Sequence, residues 1–376
     1  MPKKIFMISG EESGDLHGAS LIRELKKIIP DITIKGMGGV RMREAGLVGL
    51  DSKEVSVVGI VEVLEKTPKI LGHLKRLKRQ LAGERFDAAV FIDFPDFNLR
   101  LASAAKSHGV PVIYYVSPQV WAWRKGRIKK IARLVDRMLV VLPFEAALYR
   151  EAGVDVEYVG HPLGDVVRCA LTPSEARSAL SLGEKTTVVS LLPGSRTAEV
   201  KRHLPTMIEA AALIEKGMDG GVEFLIPAAG SIDTGLFEGF LKGASIKAKV
   251  VHGMMYEALR ASKAAVVASG TATLETALIG TPMVIIYRMS RLSHGVARAL
   301  VEVEDVGLPN IIAGRRVVDE LIQNDATAEK ISVAVLDILK DFKKRDDIIN
   351  GFKEIRDRLG SGASKRAARA VAAVIS

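Results

Sequence analysis

The sequence contains little cysteine, little tryptophan and no long hydrophobic run. Its 376 residues include two tryptophans and one cysteine, Cys169. A single cysteine excludes an intrachain disulfide and a cysteine-rich metal site, and it is typical of a reducing compartment, which indicates the cytoplasm. The apolar stretch after Lys3 and Lys4 is too short for a signal peptide, and no uninterrupted apolar run is long enough to cross a bilayer. We therefore expect a cytoplasmic protein that is not inserted in a membrane.

Three common ligand-binding motifs are missing as well. Residues 36–39 read Gly-Met-Gly-Gly, but Arg41 stands where the G-x-G-x-x-G fingerprint needs its third glycine, and nothing matches the P-loop pattern. No two aspartates stand two positions apart, so the Asp-x-Asp element with which many sugar-nucleotide enzymes hold a divalent metal is absent. These absences argue against a dehydrogenase and a P-loop kinase, and we expect neither a metal nor a cofactor.

Two stretches of the chain, residues 66–83 and 124–133, are strongly basic and contain no acidic residue. Each holds six Lys or Arg, and together these twelve cations exceed the formal net charge of +10. The excess of positive charge is therefore local, which favours a binding surface. The second stretch directly follows Trp121 and Trp123.

The first basic stretch predicts a helix with one apolar face. A solvated helix over an ordinary core, a nucleic-acid surface and attachment to anionic lipid are all compatible with this pattern. Aromatic residues make up only 5% of the chain and no nucleic-acid motif is present, so we favour the membrane and expect no nucleic acid. The candidates for a membrane-facing surface, beside the apolar stretch 57–64, are Ile70, Leu74, Lys75, Arg76, Lys78 and Arg79.

Strand-like and helical stretches alternate along the chain, which is typical of parallel sheets covered by helices on both faces. The predicted strands are residues 4–9, 32–35, 88–92, 112–116, 138–141, 187–192, 222–226, 249–251, 264–268 and 283–287. A break with Gly and Pro at residues 160–164 separates two Rossmann-like halves. We expect an α/β protein with an N-terminal domain (1–164), a C-terminal domain (165–345) and C-terminal helices (346–376) that can return to the N-terminal domain. Ligands of such sheets lie beyond the carboxyl ends of the strands, so we expect them in a cleft between the domains.

Residues 265–288 predict a buried strand, a glycine turn, a short helix and a second strand. The turn contains Ser269, Gly270 and Thr271. Its glycine permits close backbone approach, and the unpaired N–H groups of the following helix are suited to an anion such as a phosphate. Glu275 lies one helical turn later, where a carboxylate suits the vicinal hydroxyls of a ribose. An ordinary βαβ unit without a ligand gives the same pattern.

A second turn of this kind opens the C-terminal half. The predicted strand 187–192 is followed by Pro193, Gly194, Ser195 and Arg196 before a predicted helix. A guanidinium complements a diphosphate with two parallel hydrogen bonds, which a lysine does less well. The alternative is an ordinary surface arginine in a loop.

The first predicted strand leads into a polar loop. Gly10, Ser13 and Asp15 lie between this strand and an amphipathic helix, and the two side chains either cap the helix or contact a ligand. His17 lies near the start of the same helix, whose dipole is expected to lower its pKa and favour the neutral imidazole. His17 is therefore a second candidate for acid-base chemistry.

The strand at residues 88–92 leads into Asp-Phe-Pro-Asp-Phe-Asn at residues 93–98, which contains Asp96. Phe94, Pro95 and Phe97 are expected to desolvate a carboxylate partly, which suits a general base. The alternative is a loop of Asx turns around Pro95.

Seven ordered motifs resemble those of the lipid-A-disaccharide synthase family, and the resemblance spans nearly the whole chain. They are GEESGD at residues 10–15, DFPDFN at 93–98, YVSPQVWAW at 115–123, LPFE at 142–145, LPGSR at 192–196, ASGTATLE at 268–275 and LPNIIAG at 308–314. The resemblance implies a GT-B glycosyltransferase, with two Rossmann-like domains facing across a cleft, that acts at the cytoplasmic face of the inner membrane of Gram-negative bacteria.

The implied reaction is the transfer of a sugar between two lipids. UDP-2,3-diacylglucosamine is joined to 2,3-diacylglucosamine 1-phosphate (lipid X), which gives a β-1,6-linked tetraacyl disaccharide 1-phosphate with inversion and releases UDP. The resemblance implies Asp96 as an essential carboxylate and Arg196 as a ligand of the diphosphate. It further implies Glu275 and Asn310 for the nucleoside and sugar, and the turn at residues 269–271 for the phosphates.

Several points stay open at the level of sequence. The family often has Pro-Glu-Leu-Leu-Gln where this chain has Asp-Glu-Leu-Ile-Gln at residues 319–323, so Gln323 is left out of the predicted site. A UDP-N-acetylglucosamine 2-epimerase has the same two-domain fold and diphosphate turns, and a non-catalytic membrane- or RNA-binding protein needs only the basic stretches. The oligomeric state, monomer or homodimer, is open, and Asp96 either accepts a proton or orients another group.

Overall fold

In a computed structural model, the chain forms two units that are each built on a parallel sheet. The first unit contains Met1–Asp165 and Leu359–Ser376, and the second contains Val166–Arg358. The structure describes residues 2–54, 60–120, 126–183, 185–218, 221–230, 232–289 and 305–376, without the side chains of residues 54 and 60–67.

The first unit begins with a β-strand and alternates strands and helices thereafter. Its strands are β1 (Lys4–Ser9), β2 (Thr33–Gly38), β3 (Leu47–Asp51), β4 (Ala88–Ile92), β5 (Val112–Tyr115), β6 (Arg137–Val140) and β7 (Val156–Tyr158). Its helices are α1 (Glu12–Ile28), α2 (Val40–Glu44), α3 (Ile60–Gly83), α4 (Pro95–Ser107), α5 (Arg127–Leu134), α6 (Glu145–Glu151) and α7 (Leu163–Val166). The strands form one parallel sheet in the order β3-β2-β1-β4-β5-β6-β7.

The second unit repeats this architecture with six strands. They are β8 (Thr187–Leu192), β9 (Val222–Ala228), β10 (Ala248–His252), β11 (Ala264–Ala268), β12 (Met283–Tyr287) and β13 (Glu320–Ile322), in the order β10-β9-β8-β11-β12-β13. The helices are α8 (Pro173–Ala179), α9 (Thr197–Gly217), α10 (Thr234–Leu241), α11 (Met255–Ala261), α12 (Thr271–Ile279), α13 (Leu308–Ala313), α14 (Ala328–Lys340) and α15 (Phe342–Leu359). No helix in the part of the chain that the structure describes is long and apolar enough to cross a membrane.

The central strands explain why the sequence forms parallel sheets. The residues of β4 and β11 are buried along their whole length, because helices cover both faces of each sheet. The sequence pattern predicts these strands as continuous apolar runs. Three further strands, β3, β7 and β13, are missed by that pattern because they lie at sheet edges and are largely half-buried or exposed.

The last helix of the chain, α16 (Ala363–Ile375), packs against α1 in the first unit. The carboxylate of Asp165 accepts hydrogen bonds from the backbone N–H groups of Gly362 at 2.6 Å and Ser364 at 2.8 Å, which satisfies donors at the start of the helix. The Arg366 Nε donates to the carbonyl oxygen of Val159 at 2.9 Å. The chain enters the first unit again at Leu359, later than the predicted boundary at residue 346, because α15 runs through that position without interruption.

Candidate active site

The turn at residues 269–271 joins β11 to α12, as the sequence pattern predicts. Gly270 is the N-cap of α12 with a φ of 154°, a backbone conformation that favours glycine. The Ser269 N–H donates to the carbonyl oxygen of Ile286 at 2.8 Å, and its hydroxyl donates to that of Val306 at 3.1 Å. The helix therefore starts at Thr271 with the positive end of its dipole at this turn.

The second predicted turn joins β8 to α9, and Arg196 is the N-cap of that helix. The carboxylate of Glu199 accepts a hydrogen bond from the Ser195 backbone N–H at 3.1 Å and another from Nη1 of Arg196 at 3.1 Å. Gly194 has a φ of 126°, and a Cβ there would lie 2.5 Å from the Glu199 carboxylate. The turn thus binds a carboxylate through one backbone N–H and one guanidinium, the same kinds of donor that bind a phosphate.

His203 on α9 is a residue of this turn that the sequence motifs do not reveal. Its Nδ1 lies 2.8 Å from the carbonyl oxygen of Pro193, and its Nε2 accepts a hydrogen bond from the backbone N–H of Arg288 at 3.1 Å. The side chain is fully buried, and burial lowers its pKa. The only signal in the sequence is a polar residue on the apolar face of the helix, three positions after Val200.

Glu275 lies in the second turn of α12 and is half-buried. Its Oε1 accepts a hydrogen bond from the hydroxyl of Tyr256 at 2.8 Å. Tyr256 lies on α11, so the neighbouring helix fixes the carboxylate. The tyrosine is a second member of this part of the site that the sequence analysis missed.

The structure corrects the prediction that Asn310 contacts the nucleoside or sugar. Asn310 is fully buried, and its Oδ1 accepts hydrogen bonds from the backbone N–H groups of Val317 at 2.7 Å and Val318 at 3.0 Å. Its Nδ2 donates to the carbonyl oxygen of Val318 at 2.9 Å and to Oε1 of Glu320 at 2.7 Å. An amide has two donor hydrogens and two acceptor positions, so these contacts leave Asn310 no capacity for a ligand.

Asn310 instead supports the turn at residues 269–271 through Glu320. The Glu320 carboxylate accepts hydrogen bonds from the backbone N–H groups of Val306 at 2.8 Å and Gly307 at 3.0 Å. The carbonyl oxygen of Val306 is the acceptor of the Ser269 hydroxyl. Glu320 lies in the segment 319–323, where the chain departs from the family pattern, and no sequence motif indicates its role.

The loop after β4 contains two consecutive left-handed residues that are not glycine, Asp93 with a φ of 47° and Phe94 with a φ of 48°. The carbonyl oxygen of Asp93 accepts hydrogen bonds from Nδ2 of Asn98 at 2.7 Å and from the Tyr114 hydroxyl at 2.5 Å. Such backbone strain persists only where the surroundings fix it, and it is concentrated at functional sites. These contacts fix the start of α4.

Asp96 lies in the first turn of α4 and forms an ion pair with Arg127 of α5. The expectation of partial desolvation is wrong, because the Asp96 side chain is 72% exposed. Pro95 begins the helix, so the carboxylate projects from a helix N-terminus and not from a loop of Asx turns. Asp96 is therefore accessible to a substrate, and its ion pair with Arg127 helps to fix it.

The structure also corrects the expectations for the loop after β1. The N-cap of α1 is Glu11, so Ser13 and Asp15 lie inside the helix and cap nothing there. Asp15 is buried, and its two carboxylate oxygens accept the backbone N–H groups of Arg41 and Met42, each at 3.0 Å. Asp15 thus anchors the first turn of α2. Ser13 is half-buried.

Gly10 is explained by a neighbouring ring. A Cβ at Gly10 would lie 2.3 Å from the ring of Phe94, so no larger residue fits while Phe94 keeps its place. Gly10 therefore connects the loop after β1 with the strained loop after β4, which lies beside it in the sheet order.

His17 is buried on α1, and its ring packs edge-on against that of His161 with 5.8 Å between the centroids. Burial lowers the pKa of His17 to about 4, so the shift has the expected direction and desolvation is its cause. The ring is 4% exposed, so it is not accessible to a substrate hydroxyl in this structure. The structure therefore argues against His17 as a catalytic base.

The structure changes the predicted membrane-facing set on α3. Leu74 is 7% exposed and packs in the core of the first unit, and Ile70 packs partly against the same core. Leu71, outside the predicted set, is an exposed apolar side chain on the described part of this helix, at 49%. The exposed cations of the predicted set are Lys75, Arg76, Lys78 and Arg79.

Part of the predicted surface lies outside the described residues. Trp121, Trp123, Arg124 and Lys125 belong to the segment 121–125, and the side chains of the apolar stretch 57–64 are not described either. Of the second basic stretch, the described part lies on α5 and includes Lys129 and Lys130, which are exposed.

Comparison with known proteins gives one family. A family model described as lipid-A-disaccharide synthetase matches residues 5–374. Lipid-A-disaccharide synthase of Syntrophus aciditrophicus is 47% identical over 97% of this chain and 96% of its own length. That of Myxococcus xanthus is 45% identical over 98% of this chain and 97% of its own length.

Solved structures with low sequence identity have the same fold. UDP-N-acetylglucosamine 2-epimerase from Neisseria meningitidis, bound to UDP-N-acetylglucosamine, matches with a TM-score of 0.67 and 13% identity over 98% of this chain and all of its own. A glycosyltransferase from Siraitia grosvenorii in complex with UDP matches with a TM-score of 0.59 and 14% identity over 99% of this chain and all of its own. These likenesses confirm the predicted class of two parallel-sheet α/β domains. By the family match and its close relatives, the chain belongs to the lipid-A-disaccharide synthase family of glycosyltransferases.

Proposed function

We propose that this chain joins UDP-2,3-diacylglucosamine to 2,3-diacylglucosamine 1-phosphate and forms the β-1,6-linked tetraacyl disaccharide 1-phosphate and UDP. The observation that carries the proposal is the family match over residues 5–374. A UDP-linked donor is further supported by the two structures of the same fold that hold UDP-N-acetylglucosamine and UDP.

The proposed chemistry is a single displacement at the anomeric carbon of the donor. The acceptor 6-hydroxyl oxygen forms a bond to this carbon while the bond from the carbon to the diphosphate oxygen breaks, so an α donor gives a β product. The hydroxyl proton goes to Asp96, and the electron pair of the broken bond leaves with UDP. The exposure of Asp96 and its ion pair with Arg127 support this role, because the carboxylate is both accessible and fixed.

The donor half of the reaction belongs to the second unit in this proposal. Arg196 and the Ser195 N–H bind the diphosphate, in place of the Glu199 carboxylate that they contact in the structure. The start of α12 at Ser269, Gly270 and Thr271 stabilises the charge that develops on the leaving group. Glu275 accepts hydrogen bonds from the ribose hydroxyls, and its contact with the Tyr256 hydroxyl supports a fixed orientation.

A UDP-release assay tests the proposed reaction. We expect the purified protein to release UDP from UDP-2,3-diacylglucosamine only when 2,3-diacylglucosamine 1-phosphate is present, with one UDP for each disaccharide formed. A 2-epimerase or a hydrolase acts on the sugar nucleotide without that acceptor. UDP release that is equally fast without the acceptor would contradict the proposal, and so would a failure to release UDP with both substrates.

We further propose that the protein works at the cytoplasmic surface of the inner membrane, which it contacts through α3. Leu71 is an exposed apolar side chain on this helix. The described part of the helix also carries five exposed cations, which are Lys69, Lys75, Arg76, Lys78 and Arg79. Leu74, Leu77 and Leu81 hold the opposite face in the core. A cationic helix face that is fixed to the core is suited to an anionic lipid surface.

Replacing Lys75 and Lys78 by glutamine is expected to weaken binding to vesicles of anionic phospholipid. Each cation near such a surface contributes about 1 kcal/mol, so the double variant should lose about thirtyfold in the partition coefficient measured by vesicle sedimentation. The matched control replaces Lys340 and Lys353, two exposed lysines of the second unit, and should bind as the wild type does. An equal loss of binding in the control would contradict the assignment of the membrane surface to α3. So would wild-type binding that is unchanged in 0.5 M salt, which is about three times the physiological ionic strength.

A further inference from the structure

His203 is a buried histidine that connects the ends of two strands of the second unit. Its Nδ1 contacts the carbonyl oxygen of Pro193, directly after β8, and its Nε2 contacts the backbone N–H of Arg288, directly after β12. In the sheet order these two strands flank β11, which carries the turn at residues 269–271. One side chain thus joins the backbone after β8 to the backbone after β12, on either side of the strand that leads into the turn at residues 269–271.

Both ring nitrogens of His203 contact backbone groups. Nε2 of His203 lies 3.1 Å from the backbone nitrogen of Arg288 and 3.2 Å from the carbonyl oxygen of the same residue. The carbonyl oxygen of Pro193 only accepts, so Nδ1 carries the proton and donates. Burial lowers the pKa of this ring, which favours its neutral form. Both nitrogens contact the backbone, so the contacts suit a positioning role.

The contact with Pro193 lies two residues before Ser195 and three before Arg196, the predicted diphosphate ligands. Proline has no N–H, so its carbonyl is the one backbone group that a neighbour can hold. The next residue is Gly194, with its left-handed φ of 126°, and the Ser195 N–H and Arg196 follow. Fixing the Pro193 carbonyl fixes the direction in which this turn presents the Ser195 N–H.

We propose that His203 is a positioning residue for the donor diphosphate, acting through the Pro193 carbonyl. This inference rests on the proposed role of the 193–196 turn in binding UDP and adds to it the residue that holds the turn in its binding geometry. Arg202, the preceding residue, does not share this role, because it is exposed and its Nη1 contacts the carbonyl oxygen of Arg288 at 3.4 Å.

Three substitutions separate positioning from general stability. His203→Asn keeps an amide N–H near the place of Nδ1, His203→Gln places its amide near Nε2, and His203→Leu keeps neither contact. All three lower the melting temperature, because each leaves at least one buried backbone group unpaired. We expect His203→Asn to bind UDP within about threefold of the wild type, and His203→Gln and His203→Leu to bind it about tenfold more weakly, since a lost hydrogen bond of about 1.4 kcal/mol gives that factor.

Titration calorimetry with UDP at 25 °C, where every variant is folded by circular dichroism, provides the measurement. His161→Gln, a buried histidine of the first unit, is the matched control and should lower the melting temperature without changing UDP affinity. Arg196→Ala is the reference for a lost diphosphate ligand. A loss of UDP affinity that is proportional to the loss of melting temperature in all variants, His161→Gln included, would overturn the positioning role. Wild-type affinity for UDP in His203→Leu would overturn it as well, and both outcomes would leave the proposed function intact. A wild-type protein that does not bind UDP would instead overturn the proposed donor site itself.

Discussion

Asp96→Asn is expected to lower kcat for disaccharide formation by about 10³, within the range that general bases contribute. An amide has the size of the carboxylate but does not take up the proton of the attacking hydroxyl. The KM for UDP-2,3-diacylglucosamine should stay within twofold, because its proposed ligands lie in the second unit. The melting temperature should change little, since the side chain is 72% exposed and its ion pair contributes about 1 kcal/mol or less.

Arg127→Gln is the matched control, because it removes the same ion pair and leaves the carboxylate in place. We expect it to lose much less activity than Asp96→Asn. A single-turnover assay with saturating donor distinguishes the two variants. Asp96→Asn with more than a tenth of the wild-type rate would exclude Asp96 as the base, and an equal loss in both variants would make the ion pair, not the proton transfer, the essential feature.

Acidification from pH 7 to pH 4.5 is expected to lower the free energy of unfolding by on the order of 5 kcal/mol through two buried histidines. Burial lowers the pKa of His17 from 6.5 to about 4, and burial together with the charge of the neighbouring His17 lowers the pKa of His161 from 6.5 to about 3. The unfolded chain therefore binds protons below pH 6.5 that the folded chain does not bind until pH 4 or 3. Their stabilisation is complete above pH 6.5 and is lost as the pH falls through this window.

The local contacts agree with two neutral rings. Nδ1 of His161 accepts the backbone N–H of Leu163 at 3.2 Å, a contact that protonation of that nitrogen would break. Nδ1 of His17 has no hydrogen-bond partner among the described residues.

Glu84 affects stability in a lower pH range, because hydrogen bonds from Lys35 and Lys4 lower the pKa of this carboxyl from 4.5 to about 2. Its stabilisation is present above pH 4.5 and is lost only below it.

Urea denaturation at pH 7.0, 6.0, 5.0 and 4.5 checks the histidine effect. His161→Asn keeps an acceptor near the Leu163 N–H and does not titrate, so about half of the pH dependence between pH 6.5 and 4.5 should disappear. His17→Asn should remove a similar share. Variants with the pH dependence of the wild type would contradict the assignment to these two histidines. Cys169→Ser, a half-buried position in the second unit, serves as the control that should leave the dependence unchanged.

The class of fold follows directly from the sequence, because buried parallel strands are continuous apolar runs. The central strands β1, β4, β8 and β11 are all predicted within a residue of their ends. The edge strands β3, β7 and β13 carry no such run, since their side chains face partly to solvent. Their position depends on the sheet that they join and not on their own pattern.

The candidate site is less predictable, because the hydrogen bonds of its residues come from distant parts of the chain. The strand, turn and helix around Gly270 follow from local sequence alone. The burial of His17 depends on His161, and the use of Asp15 depends on backbone groups 26 and 27 residues away. No local pattern reveals that both the oxygen and the nitrogen of the Asn310 amide form hydrogen bonds within the second unit.

The motif at residues 142–145 illustrates the same limit. Glu145 is buried, and its carboxylate accepts hydrogen bonds from the Ser117 hydroxyl at 2.6 Å and the Leu142 backbone N–H at 3.0 Å. It therefore joins the loop after β6 to the loop after β5, which contains Val116 with a left-handed φ of 61°. The motif is recognisable in the sequence, but only the structure shows that Glu145 connects the two loops.

The configuration of the new glycosidic bond tests the central claim most directly. The purified protein is incubated with UDP-2,3-diacylglucosamine of α configuration and 2,3-diacylglucosamine 1-phosphate, and the product is examined by NMR. A direct displacement assisted by Asp96 predicts a β-1,6-linked disaccharide 1-phosphate, with UDP in equal amount. An α-linked product, or UDP released without any disaccharide, would contradict it.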